Sequence, residues 1–525
     1  MSRLAGLGLV STLALAGCSG TDDTEGAPPG GSAGGEAPSA YYDDYVEGSG
    51  DAGAGAVAPS QADDGGGRPP EVGPTDDNTF REEGVNDFVD TAEDARSTFG
   101  LDVDNGSFRV ARSFLTQGED VPPESVRPEE WINALPYGDA APTEQDLGLS
   151  AETGIAPTLD DGTQVVRVGV AAREVDPAER PRVNVTLVVD RSGSMDMQNR
   201  LGLVQSSLAV LADELNDDDK VAVVSFQDDA ETLLEPTPVS ERDAIIDTIG
   251  ELTPDGGTNF EAGLARGYDV AREAFDPEAV NVVVICSDGV ANIGETGPGS
   301  LVERIQQEGA DGIHLVTAGF GLGNYNDLLM EQVADLGDGF YSYVDTFEEA
   351  ERLFGTDLTT TLVPVAAEAR AQVSFDPALV ESYRLIGYEN RDIADDDFED
   401  LNVDAGELGS GHHATALYEV RLADGVAPDT VIGEAAVRWR SVESEEPEDA
   451  TIELRSAAAD ADPSDDLVLA TIAADLAQAV KGAKPFAQRQ VSLDELRERL
   501  RPLVAGEVPG AAELDEMIEL AARRR

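Results

Sequence analysis

Between residues 183 and 344 the chain alternates two hydrophobic patterns. Runs such as Asn184-Val-Thr-Leu-Val-Val, Val221-Ala-Val-Val-Ser-Phe226, Asn281-Val-Val-Val-Ile-Cys286 and Ile313-His-Leu-Val-Thr-Ala318 have almost no polar face. Strands covered on both sides of a parallel sheet read this way. Between them lie helical spacings: Leu201, Val204, Leu208, Leu211 and Leu215, then Arg242 to Ile249, then Phe260 to Ala274. This alternation predicts a doubly wound, Rossmann-like α/β domain. Glu231-Thr-Leu-Leu-Glu235 is expected at the sheet edge, and Gly339 to Val344 as the closing strand.

After about residue 365 strands follow one another without helices: Ala371 to Phe375, Tyr383 to Tyr388, His413 to Val420, Glu434 to Trp439 and Thr451 to Leu454. An antiparallel sandwich is expected there. Three helical stretches end the chain, at Leu467 to Val480, Leu493 to Leu503 and Ala511 to Ala522. Upstream, Asn86 to Trp131 forms a small region with its own aromatics, and Gln164 to Ala171 reads as a strand leading into the central domain. Asp102-x-Asp104-Asn-Gly106 has the opening of a calcium loop. Ser113 stands where a bidentate glutamate is needed and the glycine falls one place early, so a turn is the better expectation.

The first apolar run ends abruptly in Asp190-Arg-Ser192-Gly-Ser194, before a helix, where open α/β sheets bind ligands. A carboxylate and two hydroxyls at alternate positions can turn toward one point, and hard oxygen donors suit Mg²⁺ or Mn²⁺. Asp-x-Ser-x-Ser after a buried strand resembles the metal-ion-dependent adhesion site (MIDAS) of von Willebrand factor type A domains. Asp255-Gly-Gly-Thr258 resembles that site's second loop, and Asp288, just past another apolar strand, its third. The resemblance implies metal ligation by Asp190, Ser192, Ser194, Thr258 and Asp288, some through water. One position would remain for a partner's Glu or Asp carboxylate. Tyr383-Arg-Leu-Ile-Gly-Tyr-Glu-Asn-Arg, Asp404 to Glu419 and the region after Asn86 resemble a bacterial group of von Willebrand type A lipoproteins, the YfbK-like group.

Composition narrows the functions further. The chain has 525 residues and a formal net charge of −70, and Lys220, Lys481 and Lys484 are its only lysines. That balance excludes nucleic-acid binding through phosphate contacts. The acidity is spread along every segment, which reads as a solvated surface adapted to high salt rather than an acidic ligand-binding face. Of two cysteines, Cys286 lies in an apolar strand and is expected to be a buried thiol. Cys18 ends Leu15-Ala-Gly-Cys after a short apolar run from Leu4 to Ala16. The run is too short to span a bilayer and reads as a secretory signal. Leu-Ala-Gly-Cys resembles the bacterial lipobox, which implies acylation of Cys18 and a lipid-anchored, cell-envelope protein facing periplasm or exterior.

The expected organisation is therefore a signal peptide (1–18), an acidic Gly/Pro-rich tether (19–79), an N-terminal module (80–182), the type A domain (183–362) and a β-rich C-terminal domain with terminal helices (363–525). The expected function is binding of a protein partner that supplies an acidic residue to the metal. The alternatives are a structural envelope scaffold in which the metal only stabilises the loops, and a hydrolase. The chain is not expected to be an enzyme: it has three histidines, His314, His412 and His413, and no His-Glu-x-x-His motif. Gly319-Phe-Gly321-Leu-Gly323 invites a dinucleotide reading, but it falls late in the domain, and a loop at the sheet edge accounts for it better.

Overall fold

The computed structural model describes residues 78–524 apart from 102, 156–161, 177–179, 290–303, 310, 324, 358–362, 402, 404, 459–461, 484–485 and 487–490, together with residue 39. The signal peptide, Cys18 and nearly all of the tether lie outside the described residues.

Before residue 183 come β1 (Val89–Asp90), β2 (Arg96–Gly100), α1 (Gly106–Thr116), α2 (Pro128–Asn133), β3 (Leu147–Ile155) and β4 (Gln164–Ala172). The central segment runs β5 (Val183–Asp190), α3 (Arg200–Glu214), β6 (Lys220–Phe226), β7 (Ala230–Pro238), α4 (Arg242–Gly250) and α5 (Phe260–Ala274). It continues with β8 (Val280–Ser287), β9 (Ile313–Phe320), α6 (Asp327–Leu336), β10 (Tyr341–Val344) and α7 (Phe347–Ala350). Then follow β11 (Pro364–Phe375), β12 (Val380–Ile386), β13 (Gly406–Gly409), β14 (His413–Leu422), β15 (Val431–Ser441) and β16 (Pro447–Arg455). The described chain closes with α8 (Asp465–Lys481), α9 (Leu493–Ala505) and α10 (Ala511–Arg524).

The central strands form one sheet in the order β10-β9-β8-β5-β6-β7. All pairings are parallel except β7 on β6, so β7 is the antiparallel edge. Every residue of β5 is buried. Val185, Leu187 and Val189 face one helical layer with α3 and α4, while Val188 faces the other with α5. Covering both faces is what the unbroken apolar run requires, and each buried Val or Leu contributes roughly 1.5–3 kcal/mol. Asn259 caps α5 by accepting from the Ala262 amide at 3.1 Å, which fixes the loop before it.

The sandwich draws on both ends of the chain. One sheet runs β1-β12-β14-β4-β3, and the other runs β13-β11-β15-β16 with β2 paired to β11. β4 is thus a central strand, paired to β14 and β3, rather than a lead-in to the central domain. Its alternation explains the placement: Val166, Val168 and Val170 enter the sandwich core with Tyr418, Val437 and Trp439. Its other face carries Val165, packed with the helical cluster, and Arg167, paired with Asp139. The central domain is inserted between two halves of one sandwich. Asp104 serves as the expected turn, its Oδ1 accepting from the Tyr341 amide at 2.9 Å, with helix α1 following. Among the described residues no helix is long and apolar enough to cross a membrane.

Candidate metal centre

The polar residues of interest sit where β5 and β8 end. Asp190, the last residue of β5, is fully buried. Its Oδ1 accepts from the Ser192 amide at 2.9 Å and its Oδ2 from Ser287 Oγ at 2.6 Å. Both bonds orient the carboxylate, so its position is set by the turn and by the neighbouring strand. Ser192 Oγ lies 3.0 Å from Ser194 Oγ, so the two hydroxyls converge. The second loop is tied to the first through backbone: Gly193 N donates to Gly256 O at 3.1 Å, and Asp255 N donates to Arg191 O at 2.7 Å. Thr258, on that loop, is buried. Asp288 follows β8 and is also fully buried. Burial first, then the neighbouring Asp288 carboxylate, push Asp190 up to about 7, against the lowering effect of Ser287 and Ser192.

Five residues singled out from sequence therefore lie on three loops at one end of the sheet. Asp190, Ser192 and Ser194 are joined by hydrogen bonds, Asp190 and Asp288 by their mutual repulsion, and the Thr258 loop by backbone bonds to the first. Among the described residues no three His, Cys, Asp or Glu side chains converge as a metal cluster. The donor set here is of another kind, two carboxylates and three hydroxyls, which suits a hard divalent cation that keeps some water. A carboxyl pushed up by burial and by a second buried carboxylate beside it is an arrangement that a cation relieves. Cys286, beneath the site on β8, is buried and its thiol is pushed up by desolvation, so it is no competing ligand.

Sequence reasoning missed three participants. Ser287, the last residue of β8, orients Asp190. The Gly321 loop, expected merely at the sheet edge, lies against the site: a Cβ on Gly289 would come 2.9 Å from the Asn326 carbonyl oxygen. Arg200 is the third. Its Nη1 donates to Asp288 Oδ2 at 2.8 Å and its Nη2 to the Leu322 carbonyl, with only 3% of its surface exposed. Gly321, at φ +75°, leaves no room for a Cβ, which would overlap the guanidinium. A signal existed in the sequence: an arginine in the first turn of a helix sits at the positive end of the dipole, so something anionic must hold it there. Arg200 also lines a cleft of about 720 Å³ reaching Arg112 and Thr116 of α1, Asp345 before α7 and Glu516 of α10.

The chain is similar to several known proteins. Residues 185–290 match the family described as von Willebrand factor type A domain, residues 74–167 one described as von Willebrand factor, and residues 360–521 "Uncharacterized protein YfbK, C-terminal". The chain is a von Willebrand factor type A domain protein, a class whose domains are typically protein-interaction modules. Within that class it is YfbK-like, with the match to the YfbK C-terminal model at residues 360–521. It is 35% identical to YfbK of Escherichia coli (strain K12) over 344 residues, 64% of this chain and 60% of that protein. It is 26% identical over 283 residues to sll0103 of Synechocystis, covering 52% of this chain and 65% of that one. The chain thus spans less than two thirds of the length of these curated relatives. A solved von Willebrand factor type A structure from Catenulispora acidiphila aligns with 69% of this chain and 88% of its own, at a TM-score of 0.40 and 17% identity.

Proposed function

We propose that this chain is a lipid-anchored cell-envelope protein, acylated at Cys18, that binds a protein partner through a divalent cation. Mg²⁺ or Mn²⁺ would be held by Asp190, Ser192, Ser194, Thr258 and Asp288, directly or through water. A cation with only two anionic protein ligands stays electrophilic and gains by accepting an outside carboxylate, here a Glu or Asp of the partner. The observation that carries the reading is the pair of buried carboxylates, Asp190 and Asp288: burial first, and the Asp288 charge second, push Asp190 upward. On a surface carrying −70 net charge, a cation also offsets repulsion toward an acidic partner. The residues of this chain bind and orient; no catalytic role is assigned to them.

The test is crosslinking in the native envelope with and without EDTA, followed by mass spectrometry, on the full chain and on the double variant Ser192→Ala, Ser194→Ala. Partner capture that vanishes with EDTA and in the variant, with unchanged melting, is the expected result. Melting that collapses in the variant while capture persists would favour a scaffold in which the metal only stabilises the loops. Replacing Cys18 by alanine is expected to release the protein from membrane fractions.

A further inference from the structure

The buried charges of the site do not balance, and the imbalance has a sign. Asp190 and Asp288 bring two negative charges, and Arg200, bonded to Asp288 at 2.8 Å, brings one positive charge. Arg191, on the first loop, is already paired with Glu231 of β7 at 3.0 Å, and so adds no net charge. With Asp190 ionised, the buried sum among the described residues is minus one. Adding a divalent cation makes it plus one, whereas without Arg200 the loaded site would be neutral.

We propose that Arg200 is the specificity-determining residue of the metal site: it leaves the cation-loaded site net positive, so that the group completing the coordination must be an anion. This rests on the metal-dependent reading above. The geometry explains how an arginine serves without competing as a ligand. Its guanidinium is held from behind by the Leu322 carbonyl and shaped by Gly321, so it faces Asp288 Oδ2 and is covered from solvent. A guanidinium stays charged at every working pH and is weakly hydrated, which suits a buried permanent charge better than an ammonium would. The arrangement trades metal affinity for partner selectivity. Arg200 repels the incoming cation, and it attracts the carboxylate that follows.

Two effects of opposite sign test this. In Arg200→Gln, Mn²⁺ should bind more tightly, on the order of tenfold by titration calorimetry, because a nearby buried positive charge is gone. The Mn²⁺-loaded variant should also lose its preference for acetate over acetamide, by on the order of tenfold, read from paramagnetic broadening of the methyl proton signals of the two probes. Arg200→Lys, which keeps the charge, should retain the wild-type order of both, and serves if the glutamine variant does not fold. A glutamine variant that loses Mn²⁺ as well as acetate would make Arg200 a mere structural support and overturn the proposal. So would an unchanged acetate preference, or a folded lysine variant without one. If the wild type takes up no Mn²⁺, the metal-dependent reading and this inference fall together; if it does and the variants match it, only the inference falls.

Discussion

Two charge clusters border the same cleft, with Arg112 and Asp345 from one and Arg200 from the other, and solve opposite problems. At the junction of α1, α7 and α10, Arg109, Arg112 and Arg352 face Asp345, Glu349 and Glu513, three charges against three. Arg109 Nε lies 3.0 Å from Glu349, Arg112 Nη1 2.8 Å from Glu513, and Arg112 Nε 2.9 Å from Asp345. At the metal loops, among the described residues, two buried carboxylates face one buried arginine. The balanced cluster needs nothing from outside and joins the N-terminal helix, the type A domain and the last helix. The unbalanced one carries a standing cost that a further cation, or a proton on Asp190, removes. A balanced buried network is therefore architecture, and an unbalanced one at a strand-to-helix loop is an invitation to a ligand.

The contrast breaks first at Asp190. Asp190→Asn should lower Mn²⁺ affinity by a hundredfold or more, on the order expected when a ligand rather than its support is lost, as measured by calorimetry. The same variant should change the pH dependence of the metal-free protein. The folded-state pKa of Asp190 lies above its unfolded value, so the folded protein holds that proton more tightly. Its stabilising contribution is full below the unfolded carboxylate pKa and is lost as pH rises toward about 7. Wild-type melting in EDTA should therefore fall between about pH 4 and pH 7, from this group, and Asp190→Asn should flatten that fall. Saturating Mn²⁺ should restore the wild type alone.

The balanced cluster should answer in the opposite way. Removing Arg109 leaves Glu349 and Glu513 with Arg112 and Arg352 but makes the cluster one positive charge short, so Arg109→Met is expected to cost about 3–5 kcal/mol in denaturant unfolding. Mn²⁺ affinity of the fraction that remains folded should be unchanged. A variant that lost metal affinity in proportion to stability would join the two clusters into one unit and erase the comparison.

The two clusters also differ in how far the sequence displays them. Asp190, Ser192 and Ser194 are legible because the chemistry is local: strand, turn and helix start lie within a dozen residues. Asp288 is legible because it repeats the same context, an apolar strand ending in an acid. Arg200 and Ser287 are not, since their meaning comes from a partner about ninety residues away. The sandwich shows the same limit on a larger scale. The strands after residue 365 are visible from their patterns, but β4 pairs with β14 across nearly 250 residues, and nothing in its own Val-rich run names that partner. The arginine junction is wholly non-local, and its members look like ordinary solvated helix charges until α1, α7 and α10 are brought together.

Gly321 tests the middle of the scale, because it serves the site without touching a ligand. Its φ of +75° and the guanidinium beside it both oppose a side chain. Gly321→Ala is expected to cost about 1–3 kcal/mol from the backbone conformation and the displaced arginine. The displaced charge should also shift acetate selectivity in the direction of the Arg200 variants, by less than they do.

The smallest effect belongs to Asn78 and Thr79. Asn78 Oδ1 accepts from the amides of Gly323 at 3.0 Å and Tyr325 at 2.9 Å, and Thr79 N donates to the Tyr325 carbonyl at 2.8 Å. These bonds clamp the loop that carries Leu322, the carbonyl behind Arg200, and Asn326, which packs on Gly289. Asn78→Ala removes one acceptor shared by two amides, a loss of about 1 kcal/mol. Hydrogen exchange at the Gly323 and Tyr325 amides should rise in proportion, while global melting moves little, because the loop opens without unfolding the sheet. If the exchange rate of these two amides does not change, the clamp is not what holds Arg200 in place, and the support must come from Gly321 and the burial of the guanidinium alone.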